Sequence, residues 1–291
     1  MKKIFNSIFI VICFLLNGYV YSQSKVTLTE KGVIMPTYTV ASPEKNPIFF
    51  RGEAYQGASR HVYPLKLNDQ FTHERKDQAL KTLILENEYI ELGITPDIGG
   101  KLYYATDKTN NYHFIYKNDV VRPANIGMTG AWVSGGIEWC VLHHHRASTF
   151  LPLDYTTTEN LDGSKTIWVA EYEPRHGMRW TIGVTIFPGK SYFKTEGRIH
   201  NSSPLTHTFL FWANVATHTN NSYQAIFPPS AQNVTFHSKT DFTTWPIGNS
   251  TYRSSDLKDI DISWWKNMVS SNSFFIHELQ EDFMGGYDHG K

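Results

Sequence analysis

After residue 25 no long apolar stripe recurs every 3.6 residues; short alternating runs are broken by turn residues instead. That period-2 pattern predicts an all-β sandwich or barrel of many short strands. Residues 80–85 form one run and 89–95 the next, with Glu86-Asn87-Glu88 between them. Pro96-Asp97-Ile98-Gly99-Gly100 then breaks the chain before predicted strands over 101–106 and 112–116. The middle is clearer: Asp162-Gly163 is a hairpin signal ahead of a strand over 166–173. Ile182, Val184 and Ile186 alternate with smaller or polar residues, Pro188-Gly189-Lys190 turns the chain, and 193–199 returns. Residues 205–218 make the longest predicted strand. Its odd positions Phe209, Phe211, Ala213 and Val215 form an apolar face, while Leu210, Trp212, Asn214, Ala216 and His218 mix an aromatic with polar groups on the other. Beyond residue 230 the Pro, Ser, Asn and Thr content predicts long loops, with one further strand over 271–277. The simplest division is an N-terminal β segment over 23–79 and a β-sandwich domain over 80–291. The closing Gly285-Gly286-Tyr287-Asp288-His289-Gly290-Lys291 has turn chemistry without a terminating feature, so the expected sandwich is truncated at its C-terminus.

The first residues read as an export signal. Lys2 and Lys3 precede a largely apolar run over 4–20, and Val20-Tyr21-Ser22 offers a small-residue cleavage pattern, which assigns 1–22 to a signal peptide. The run falls short of the roughly 20 residues a membrane span needs. The protein is therefore expected to be exported, periplasmic or extracellular, with no span once the signal is removed. Removal takes Lys2, Lys3 and Cys13; the 27 basic residues fall to 25 against 27 acidic ones, a formal charge of −2, and Cys140 is left as the lone cysteine. Such a thiol is ordinarily buried and inert. The balanced charge argues against a nucleic-acid partner. An aromatic content of 14%, with 19% charged residues, argues against a disordered chain. Phosphate-binding, dinucleotide-binding and nucleophile-elbow glycine motifs are all missing from the sequence.

Chemistry concentrates in Trp132-Val133-Ser134-Gly135-Gly136-Ile137-Glu138-Trp139-Cys140-Val141-Leu142-His143-His144-His145-Arg146. The glycine pair permits positive φ angles or a close backbone approach. Glu138 lies between apolar neighbours, where desolvation would raise its pKa and suit a general acid. His143 and His145 share a strand face and could offer two metal ligands, but no spaced Cys or Glu-x-x-His partner accompanies them, so no metal or other cofactor is expected. The histidines instead suit substrate contact, or are plain polar residues at a strand end. Arg146 could fork onto a carboxylate or onto sugar hydroxyls. Glu171 and Glu173 read as solvated strand ends, with His176 as a candidate proton carrier beside them. Trp212 with Asn214 offers a sugar ring an apolar plate and hydroxyl partners. Asp288 and His289, beside Gly285-Gly286, could form a loop site. Carbohydrate is thus the expected ligand. Glu138, His176, His218 and Asp288 are the catalytic candidates, and Trp132, His144, His145, Arg146, Trp212, Asn214 and His289 the substrate-binding ones.

Leu85-Glu86-Asn87-Glu88-Tyr89-Ile90, Pro96-Asp97-Ile98-Gly99-Gly100-Lys101-Leu102, the stretch 132–149, Trp212-Ala213-Asn214, Ile226-Phe227-Pro228-Pro229 and Gly285-Gly286-Tyr287-Asp288-His289 resemble a large uncharacterised domain family of secreted bacterial proteins. Its members often continue into tetratricopeptide repeats, so a fusion to such repeats is expected in a longer form. The resemblance covers roughly 30–291. The order of segments is also similar to the galactose-mutarotase-like superfamily, the fold of aldose 1-epimerases and of domains in many glycoside hydrolases. The resemblance implies an antiparallel supersandwich with a sugar site on its concave face. It also implies a general-acid His, matched by His176 or His218, and a general-base Glu late in the chain. Cys140 stands where that family pattern has Asn, Ala147 where it has Pro, and Ser230 where it has Asp. The expectation is an exported carbohydrate-active protein, a glycoside hydrolase or epimerase-like enzyme; the alternative is a non-catalytic carbohydrate-binding or scaffold domain.

Overall fold

The computed structural model describes residues 25–45, 48–49, 62–63, 68, 70–126, 130–141, 145–146, 148–174, 176–268 and 271–291. The predicted signal peptide, His143, His144 and Ala147 lie outside the described residues. In chain order the principal strands are β1 (Thr27–Val40), β2 (Phe71–Glu86), β3 (Ile90–Thr95), β4 (Lys101–Asp107), β5 (Tyr112–Ile115), β6 (Ile137–Val141), β7 (Asp154–Glu159), β8 (Lys165–Glu173), β9 (Met178–Ile186), β10 (Phe193–Asn201) and β11 (Phe211–Val215). One sheet runs β1-β2-β3-β4-β6-β11 with β5 against β4, and a second runs β7-β8-β9-β10; every ladder between these strands is antiparallel. The all-β expectation holds.

The two sheets face each other across one core. Leu83, Leu85, Leu92, Ile94, Leu102 and Trp139 from the first sheet meet Ile167, Val169, Trp180, Ile182, Val184 and Ile186 from the second. The alternation seen at 182–186 is the inward face of β9, and the Asp162-Gly163 turn closes the β7–β8 hairpin around a backbone bond from Gly163 to Asn160. The other face of the first sheet packs a second cluster: Met35, Leu80, Ile98, Tyr103, Tyr104, Val121 and Val133. After β11 the chain forms short ladders, including Tyr223–Ile226 with Gly285–Asp288, over a third cluster of Val234, Phe236, Tyr252, Leu257 and Ile262.

Three expectations change. The division at 79/80 falls inside β2, which pairs with β1 from Thr27↔Glu86 to Val40↔Phe71, so 27–40 is part of the sandwich sheet. The strand over 205–218 shortens to Phe211–Val215, because its ladder partner β6 is itself only five residues long. The C-terminal stretch read as turns contains a strand, Gly285–Asp288. Among the described residues, the outer edges of β10 and β11 carry no further strand. Between them opens a cavity of about 540 Å³ lined by Met178, Gly197, Ile199, Asn201, His207, Phe209 and Phe211. No described helix is long and apolar enough to cross a membrane.

Candidate functional site

The site is built on β6. Gly135 and Gly136 enter the strand at φ +87° and +68°, and a Cβ on Gly136 would sit 2.2 Å from the Leu102 carbonyl oxygen. Only glycine lets the chain pass β4 this closely. Alternation then sends Ile137, Trp139 and Val141 into the core and leaves Glu138 and Cys140 on the other face. On β11, register places Asn214 opposite Glu138 and Trp212 opposite Cys140.

The loop after β6 folds back over that face. His145 Nδ1 lies 3.0 and 3.1 Å from the two Glu138 carboxylate oxygens and 3.9 Å from Cys140 Sγ. Thr149 Oγ1 donates to Glu138 Oε1 at 2.9 Å and Asn214 Nδ2 to Oε2 at 3.4 Å. Glu138 is 3% exposed, Cys140 0% and His145 9%. The Trp212 ring meets the His145 ring edge-on at 5.1 Å. Among the described residues, Glu138, Cys140 and His145 also form a group whose metal-ligating atoms lie within 4.8 Å of one another.

Arg146 fixes this loop. Its Nε donates to the Trp139 carbonyl at 2.8 Å, Nη1 to Ser148 Oγ and Glu171 Oε2 at 2.7 Å each, and Nη2 to the Gly99 carbonyl at 2.9 Å. Its guanidinium also lies over the Trp180 ring, 4.6 Å from the centroid. A side chain that is 3% exposed, with four of its five N–H donors spent inside the protein, has no donor fork to give a sugar, which corrects its expected binding role. Glu171 is corrected too. It accepts from Arg146 and from Trp180 Nε1 at 3.1 Å, so this carboxylate links the loop to the second sheet and is not a solvated strand end.

Electrostatics reverse the expectation for Glu138. Burial pushes its carboxyl up, but the hydrogen bond and charge of His145, the nearby Lys101 and the Thr149 hydroxyl outweigh burial and hold it below the usual carboxylate range. Glu138 is therefore an ionised acceptor rather than a general acid. An ionised carboxylate cannot donate, so His145 Nδ1 carries the shared proton. Lys101, 2% exposed, donates to the Val133 carbonyl, and burial lowers its ammonium to about 8 against the pull of Glu138 and Cys140. Burial pushes the Cys140 thiol up.

The other candidates have partners of their own. His176 Nδ1 is 3.0 Å from Glu173 Oε2, in the turn between β8 and β9, with the His207 ring 5.4 Å away. Glu173, 4% exposed, is thus a buried partner and not a solvated strand end. His218 packs its ring on Tyr112 and Tyr116 at 5.9 and 5.0 Å. Asp288 accepts from Asn220 Nδ2 at 2.7 Å and from the Gly290 amide at 2.9 Å; the Gly290 bond, then Asn220, holds its carboxyl below the usual range. His289 stacks on Trp264 at 4.9 Å and its Nε2 lies 3.1 Å from Gln224 Oε1. Trp132 ends a short hairpin and is half-buried. These contacts group His176 with Glu173 and His207, His218 and Asp288 with Tyr112, and Glu138 with His145. Sequence reasoning missed Lys101, Cys140 and Thr149. The Glu138-x-Cys140 spacing, which puts both on one strand face, was the available signal for the thiol.

Fold and site together define a two-sheet antiparallel β protein with a buried carboxylate–imidazole–thiol group beside a half-exposed tryptophan. The chain belongs to the family described as Domain of unknown function (DUF5107), which matches residues 58–291. Its fold is similar to that of a TPR-domain containing protein from Parabacteroides distasonis, with 21% identity over 77% of this chain and a TM-score of 0.65. This chain spans 37% of the length of that protein.

Proposed function

We propose that the protein is an exported carbohydrate-active protein that uses the Glu138–His145 pair for proton transfer, as an epimerase-like enzyme. The observation that carries this reading is the carboxylate held against His145 Nδ1 at 3.0 Å, beside a Trp212 that is 37% exposed. An ionised carboxylate fixes the Nδ1–H tautomer and leaves Nε2 as the base, the division of labour found in carboxylate–imidazole pairs of hydrolytic triads. The half-exposed indole supplies a plate for the C–H face of a sugar, and Asn214 adds a polar group. Hydrolysis is the weaker variant. It needs two carboxyl groups about 5 to 9.5 Å apart, whereas Glu171 is tied to Arg146 and Asp288 to Asn220. The antiparallel two-sheet architecture is compatible with a galactose-mutarotase-like ancestry. Lys2, Lys3 and the apolar run over 4–20 support export, and the TPR-containing neighbour supports a longer form fused to such repeats.

A non-catalytic carbohydrate-binding domain is the second reading, favoured by the near-complete enclosure of Glu138. The test is a saccharide panel scored for binding by calorimetry and for anomeric interconversion by polarimetry. Glu138→Gln is expected to lower turnover about 100-fold with binding nearly unchanged. Trp212→Ala is expected to weaken binding by about 1 kcal/mol or more. Binding without turnover selects the second reading; no binding by any saccharide removes both.

A further inference from the structure

We infer that Glu138, Cys140 and His145 form a binding site for one zinc-class divalent ion, with the fourth coordination position left to water or a ligand oxygen. The donor set is one thiolate, one imidazole and one carboxylate, a combination suited to a borderline-soft cation and to a three-ligand site with an open position. The spacing is nearly right without an ion. Tetrahedral zinc bond lengths place nitrogen and oxygen ligands about 3.4 Å apart, and nitrogen and sulfur about 3.6 Å apart. Here His145 Nδ1 lies 3.0 Å from Glu138 Oε2 and 3.9 Å from Cys140 Sγ, so these two pairs need shifts of a few tenths of an ångström, and all three ligand atoms lie within 4.8 Å of one another.

The surrounding groups are arranged as support for such ligands. Thr149 and Asn214 each donate to one Glu138 oxygen, which fixes the carboxylate. Arg146, next in chain to His145, is locked by four hydrogen bonds, which fixes the loop that presents the imidazole. Two ligands come from one five-residue strand buried at every position, so little order remains to be imposed on binding. Coordination breaks the Cys140 S–H bond and forms a metal–sulfur bond, with the thiol proton released to solvent; the imidazole passes to its Nε2–H tautomer as Nδ1 takes the ion. The ion and the proton shared with Glu138 therefore compete for Nδ1, and the loaded protein cannot use the Glu138-oriented base. The inference does not rest on the carbohydrate reading.

The experiment is a Co²⁺ titration of the chelator-treated mature chain, followed optically, with Zn²⁺ displacement and metal analysis of the product. One equivalent is expected to bind, with a near-ultraviolet thiolate-to-cobalt band and the intense visible bands of a four-coordinate ion. Cys140 is the sole cysteine once Cys13 leaves with the signal, so the thiolate band assigns itself without a variant. Cys140→Ser, checked for folding by circular dichroism, is expected to lose that band, and His145→Gln to weaken binding at least tenfold. Absence of stoichiometric binding, or a cobalt spectrum without the thiolate band, overturns the site. A saccharide panel that fails leaves this result unaffected, and the reverse also holds.

Discussion

Replacing Arg146 with methionine is expected to destabilise the protein by about 3–5 kcal/mol, the cost of removing one partner from a buried ion pair. In a domain of this size that lowers the melting temperature by about 10 °C. The side chain has similar length and keeps some of the packing on Trp180, so the loss isolates the polar contacts. Glu171 Oε2, 2.7 Å from Nη1, would keep its charge with the Trp180 indole as its remaining donor among the described residues. The carbonyls of Trp139 and Gly99 would each lose a donor in the interior. Arg146→Lys is expected to recover less than half, because one ammonium cannot span three directions. Thermal and urea denaturation of the three proteins decides it; a loss under about 1 kcal/mol for methionine means that solvent replaces these contacts at little cost.

The second large effect is expected at Gly99. Its φ is +62°, and a Cβ there would lie 2.3 Å from the Thr149 carbonyl oxygen, a backbone atom that cannot rotate away. Gly99→Ala carries about 1–2 kcal/mol for the left-handed conformation, and the clash must push the two segments apart. That movement strains the Gly99 amide bond to the Leu151 carbonyl, 2.9 Å, and the Arg146 bond to the Gly99 carbonyl. A total above about 3 kcal/mol is expected, with faster amide exchange over 148–151. Gly32→Ala is the control: its Cβ would meet Ala79 Cβ at an ordinary 3.7 Å, and its effect should stay within about 0.5 kcal/mol. Combining Gly99→Ala with Arg146→Met should cost less than the two separately, since both disrupt the same carbonyl contact. Full additivity would show that the two residues act independently.

The β8–β10 meander was legible because β8 and β9 turn an apolar face to the core, Phe193 and Ile199 of β10 pack against it, and turn residues separate the strands; β7, with Tyr155 alone packed on the core, was announced only by the Asp162-Gly163 turn. The first half of β2 was not. Phe71-Thr72-His73-Glu74-Arg75-Lys76-Asp77-Gln78 pairs with β1 but has no deeply buried residue of its own, so nothing in its pattern marks it as a strand. At the site, the buried position of Glu138 could be inferred from its apolar neighbours, but the direction of its pKa could not. That direction is set by His145, Thr149 and Lys101, which reach the carboxylate from a loop and from another strand. Arg146 looked available for the same reason: its partners Gly99, Ser148 and Glu171 are scattered along the chain. His218 was placed on the face of Asn214 by extending the alternation past Val215, where the ladder ends and parity stops predicting direction.

β6 carries one face of the sandwich core and the site on alternating residues, and all five positions are buried. For mutational drift this leaves the strand without a neutral position. A change at Ile137, Trp139 or Val141 that alters packing also moves Glu138 or Cys140, so variants selected for stability and variants selected for ligand preference draw on the same five residues. The site can be retuned at lower risk from β11, where Trp212 and Asn214 sit on a sheet edge and can change without repacking the interior.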